Sequence, residues 1–83
     1  MIGQAMDVHM LRQYLANGSV REAYVGRQGG SDVHWTLAVR IGGPASRLIP
    51  VRSKREPVRT WKSLSSVGKF AEGLGIKALI VEL

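Results

Sequence analysis

The chain has 83 residues, 45% of them hydrophobic and 22% charged, with a formal net charge of +6 and no cysteine. That length allows one small domain, the composition excludes a disordered tail, and the missing thiols exclude a disulfide framework or a cysteine-ligated zinc. A domain of this size buries only about 60–65% of the surface its unfolded chain exposes, so a homo-oligomer is an expected aid to stability.

The positive balance concentrates polyanions near the surface, which makes DNA or an acidic partner protein the expected partner. The first ten residues, MIGQAMDVHM, carry neither a basic leader nor a long apolar run. No stretch reaches the roughly 20 apolar residues of a membrane span. A cytoplasmic protein with no membrane partner is therefore expected.

Residues 1–6 show no periodicity and are expected to be a flexible N-terminus ahead of a single domain over residues 7–83. Asp7 reads as an N-cap. Val8, Leu11 and Leu15, with Tyr14 beside them, make the apolar stripe of a short helix that Asn17 and Gly18 end. His9 and Arg12 fall off that stripe, toward solvent. Residues 19–28 read as a strand, but Val20, Glu22 and Tyr24 alternate with Arg21, Ala23 and Val25, so either face could be the buried one. Gly29, Gly30 and Ser31 suit a hairpin loop. Residues 33–41 give the clearest strand: Val33, Trp35, Leu37, Val39 and Ile41 share one face, and His34, Thr36, Ala38 and Arg40 share the other.

Gly42, Gly43 and Pro44 turn the chain into a third strand at residues 48–51, where Pro50 points to an edge or a bulge. Residues 58–61 offer a short fourth strand. Ser63 or Ser65 caps a second helix with Leu64, Val67, Ala71 and Leu74 at helical spacing and Phe70 flanking. Gly75 suits a C′ position, and Ile76 the contact that accompanies a Schellman end. Residues 78–83, ALIVEL, form a last apolar strand suited to the sheet interior or to an edge paired across a dimer. The order α-β-β-β-(β)-α-β predicts a two-layer α+β fold, an antiparallel three- to five-stranded meander sheet packed with two helices.

Few residues suggest chemistry. Ser31, Asp32 and His34 are the residue types of a hydrolase triad, but near-neighbours in one hairpin do not converge as a triad must. His9 and His34 fall short of the four ligands of a zinc site. The glycines of GRQGG and IGGP join strands, whereas a phosphate loop leads from a strand into a helix. No enzymatic activity, cofactor or metal is expected.

The dense feature is residues 52–62, RSKREPVRTWK, which hold five of the twelve basic residues against one acid, Glu56. Arg52, Lys54, Arg55, Arg59 and Lys62 are the candidate nucleic-acid-binding residues, with Arg47 and Lys69 alongside; the alternative is a solvated cationic loop without a ligand. Phosphate contacts of this kind position a protein on DNA without reading its sequence. Trp61 could stack on a base, although a Trp entering a helix more often packs into the core. A double-stranded-RNA-binding domain has a comparable α-β-β-β-α order and grips phosphates with lysines at its second helix. The equivalent stretch here, SLSSVGK, holds one lysine, and a further strand follows.

The pattern Arg59-x-Trp61-x-Ser63-Leu64, a helix containing Phe70, then Leu74-Gly75-Ile76 and a closing apolar strand resembles the small partition-associated proteins encoded on bacterial plasmids. Those also open with a short helix and a meander. The resemblance implies a non-enzymatic accessory protein of plasmid partition, maintenance or transfer. A basic surface binding DNA is the expected mode of action, and a protein-interaction adaptor is the alternative. The adaptor would offer its basic face to an acidic partner and its last strand to a sheet edge.

Overall fold

Asp7 begins the first regular element of the computed structural model, which describes residues 5–27 and 34–83. Its carboxylate accepts from Met10 N at 2.8 Å and caps α1, Val8–Ala16. The helix ends at Asn17 with Gly18 at φ 76°, where Ser19 N donates to Tyr14 O and Gly18 N to Leu15 O. That pair of bonds is a Schellman end. Leu11 is fully buried, Val8, Tyr14 and Leu15 pack around it, and His9 and Arg12 are exposed.

Three strands then form the expected antiparallel meander: β1 is Val20–Arg27, β2 is Trp35–Ile41 and β3 is Leu48–Pro50. The expected glycine hairpin loop between β1 and β2, with Ser31, Asp32 and Val33, lies outside the described residues. β1 resolves its ambiguity by burying Ala23 and Val25, opposite Val39 and Leu37 of β2. Glu22 and Tyr24 stand on the outer face, where Glu22 meets Arg40 Nε at 2.8 Å and the Arg40 guanidinium lies 5.5 Å from the Tyr24 ring. Hydrogen bonding to Tyr24, then to Glu22, raises the Arg40 pKa above its ordinary value. Both faces of β1 are thus partly covered, which is why its alternation reads ambiguously.

Ser63 caps the second helix, α2, Leu64–Gly73, by accepting from Ser66 N at 3.0 Å. Leu74 and Gly75 close it, Gly75 at φ 91°, with Ile76 N bonding Ala71 O and Gly75 N bonding Glu72 O. Val67 and Ala71 are its buried residues; Leu64, expected on the apolar stripe, is 39% exposed because it sits in the first turn, at the rim of the core.

The chain closes with β4, Ile80–Glu82, and the sheet order is β3-β2-β1-β4. The sheet is mostly antiparallel, as expected of the meander, with one parallel pair at its edge. β4 pairs parallel to β1, because the helical crossover through α2 returns the chain to the end from which β3 set out. It is an edge strand with every residue exposed, and residues 78 and 79 of the predicted strand are not part of it. The further strand expected at residues 58–61 shrinks to one antiparallel bridge, Trp35 to Trp61. The start of the domain is also corrected: Met6, assigned to the loose end, is 2% exposed and bridges Val51.

Both helices cover one face of this mixed sheet, giving a two-layer α+β fold. The core joins Met6, Leu11, Ala23, Val25, Trp35, Leu37, Val39, Val51, Trp61 and Val67. Among the described residues, the opposite face carries no helix. Register places Pro50, Ala38, Tyr24 and Ile80 in one row across all four strands of that face. Among the described residues no helix is long and apolar enough to cross a membrane.

Candidate nucleic-acid interface

The basic block is a loop pinned at both ends by backbone bonds. Val51 N donates to Leu37 O, Arg52 N to Met6 O at 2.8 Å, and Arg59 N to Val51 O at 2.8 Å. Residues 52–58 leave the sheet edge and return to it. Trp61 then exchanges both backbone bonds with Trp35 and buries its ring at 8% exposure, so it is a core residue and presents no stacking face.

Inside the loop, Glu56 is turned inward. Its N–H donates to Ser53 Oγ at 3.0 Å, and its carboxylate accepts from Thr60 Oγ1 at 2.9 Å, with Ser53 Oγ at 3.4 Å. The one acid of the block thereby braces the loop. Arg52, Lys54, Arg55 and Lys62 are exposed, and none of them makes an ion pair among the described residues. Their fields add outward, as an anion-attracting surface requires.

Arg59 is placed differently. It is half-buried, with its guanidinium 5.0 Å from the Trp61 ring and 4.7 Å from the Phe70 ring, whose centroids are 5.1 Å apart. A cation over two aromatic faces is a packing element as much as a charge. It still lines, with Arg52, Ser53 and Lys54, a cleft of about 530 Å³ closed on its other side by Asp7, Val8 and His9. The structure thus brings three of the five candidate residues to one cleft and leaves Arg55 and Lys62 outside its lining.

His9 is the residue that sequence reasoning assigned to plain solvent; it is exposed, and it stands on the wall facing the cations. The bridge between Met6 and Val51 brings the start of α1 here, and no local pattern announces a two-residue contact across half the chain. Arg47 follows the turn after β2, and Lys69 lines a separate groove of about 620 Å³ between α2 and residues 75–79, so neither lines this cleft.

No protein family, characterised protein or solved structure matches this chain. Its class is therefore that of its own fold, a small basic α+β domain with a cationic loop on one edge of a four-stranded sheet.

Proposed function

We propose that this chain is a non-enzymatic, plasmid-associated accessory protein that binds DNA through phosphate contacts at its 52–62 loop. One observation carries the reading. Glu56 is held inward by Ser53 and Thr60, so Arg52, Lys54, Arg55 and Lys62 face solvent with no counter-charge of their own among the described residues. Arg59 anchors the loop and contributes to the cleft wall. Contacts of this kind position a duplex without reading bases.

The test is anisotropy of a labelled random duplex titrated with protein at several salt concentrations. Four phosphate contacts give a slope of log affinity against log salt of roughly −3.6, and a fifth from Arg59 steepens it to roughly −4.5. Reversing Arg52, Lys54, Arg55 and Lys62 to Glu abolishes binding if the loop is the interface. Unchanged binding in that variant, or no binding by the wild type at low salt, overturns the reading.

A second reading keeps the loop but gives it an acidic protein surface. The open apolar edge at β4 favours it, because sheet edges accept added strands from partners. It predicts a stable protein complex where DNA binding is absent.

A further inference from the structure

The two edges of the sheet are finished in different ways. At β3 the end of the edge is already used: Pro50 has no N–H, its carbonyl accepts from Met6 N, and Arg52 N donates to Met6 O. The bridge to Trp61 covers β2 beyond it. Among the described residues, β4 has none of these devices. It pairs with β1 without a bulge, residues 78–83 contain no proline and no cation, and Ile80 and Val81 are 43% and 40% exposed. Edge strands are ordinarily blunted by proline, lysine, bulges or a cover.

The free peptide groups of β4 can be located by alternation. Trp35 exchanges bonds with Trp61, and Leu37 O accepts from Val51 N, so these residues of β2 serve the β3 side while Thr36 and Ala38 serve β1. Their partners Gly26 and Tyr24 therefore face β2, and Val25 turns its N–H and C=O toward β4. Val25 lies opposite Val81, whose own N–H and C=O consequently point out from the open edge. On the outer face, the row Pro50, Ala38, Tyr24, Ile80 runs to this edge and stops there.

We propose that a second copy of this chain completes the edge, β4 against β4, antiparallel about a two-fold axis at Ile80. A two-fold normal to the sheet keeps each side chain on its own face. Ile80 then meets the partner's Ile80, Leu79 meets the partner's Val81, and Ala78 meets the partner's Glu82. The outer apolar row becomes continuous across both sheets, and the outward N–H and C=O of Val81 bond to the partner's Leu79. No charge faces a like charge in this register.

Charge and closure select a second copy as the occupant. Each chain carries +6, so two copies associate only where their cations are distant. β4 is the edge away from the basic loop, with three inter-strand spacings, about 14 Å, between it and β3. The β3 edge leaves outward only the peptide groups of Leu48 before Pro50 and Met6 close it, too few for a head-to-tail ladder, so the pairing closes at two copies and does not propagate as a fibre. This argument rests on strand geometry and holds whether or not the loop binds DNA.

Sedimentation velocity on the full chain, without nucleic acid, tests it from low to high micromolar concentration. The wild type is expected to sediment as a dimer. Val81→Pro removes the outward N–H while keeping an edge-compatible backbone, and Ile80→Lys places like charges on the axis; each is expected to weaken association by roughly tenfold or more, since each disrupts both symmetry-related contacts. A wild type that stays monomeric overturns the proposal, as does a dimer that both variants leave unchanged. If a variant fails to fold, hydrogen exchange of the wild-type Val81 amide decides: protection that is lost on dilution supports the pairing, and an exchange rate independent of concentration overturns it.

Discussion

Arg59 and Arg55 have the same side chain and only three residues between them, yet the fold gives them different work. Arg59 lies across Trp61 and Phe70, its stem packed against rings that belong to the core or its margin, while Arg55 extends into solvent. Arg59→Ala removes that packing and the cation–π contact, and is expected to cost about 1–2 kcal/mol in urea unfolding. Arg55→Ala is expected to leave stability within about 0.5 kcal/mol, as exposed substitutions usually do. DNA binding reverses the order of importance if the loop is the interface: Arg55→Ala flattens the salt slope by roughly 0.9, and Arg59→Ala by less. Equal stability losses in the two variants would contradict the stacked position of Arg59.

The elements divide by how local their causes are. Both helices begin at a capping side chain and end at a glycine with positive φ, signals that lie within a few residues and were legible in the sequence, with the second cap left between Ser63 and Ser65 until the fold chose Ser63. Gly75→Ala is expected to cost about 1 kcal/mol in thermal or urea unfolding, purely from its φ of 91°, since nothing lies within 4 Å of the added Cβ. Gly68, inside α2 with equally open space and an ordinary φ, should respond with the opposite sign: Gly68→Ala is expected to stabilise by about 0.4–1 kcal/mol. What the sequence left open depends on contacts between distant segments. ALIVEL is plainly apolar, but its edge position and parallel pairing with β1 follow from the crossover through α2. Trp61 looked like the end of a strand and makes a single bridge, because the chain enters the cap of α2 two residues later. The candidate site shows the same division. Its charges were legible as charges, whereas the inward turn of Glu56, the stacking of Arg59 on Phe70 and the approach of His9 through Met6 are products of the folded chain.

At the scale of the molecule, the dominant quantity is a charge of +6 on a domain with a radius of gyration of 11.8 Å. Charges confined to so small a body repel one another over distances comparable with the Debye length, about 8 Å at physiological salt, so the folded state carries a self-repulsion that screening relieves. Added sodium chloride is therefore expected to raise the melting temperature at low ionic strength. Replacing Arg52, Lys54, Arg55 and Lys62 by Gln removes four charges and leaves +2, with exposed side chains that the core does not use. That variant is expected to melt cooperatively and to gain much less from salt than the wild type. A polyanion such as heparin separates screening from binding. Mass action raises stability by about 2.7 kcal/mol at a hundred times the dissociation constant, but only for a ligand that prefers the native state. The wild type is expected to show this gain at heparin concentrations whose ionic strength is negligible, and the Gln variant to lose it. If both proteins respond equally to heparin, the anion-attracting field belongs to the whole surface, and the loop loses its special standing. A gain confined to the wild type instead locates the field in the four loop cations left without a counter-charge by the inward turn of Glu56.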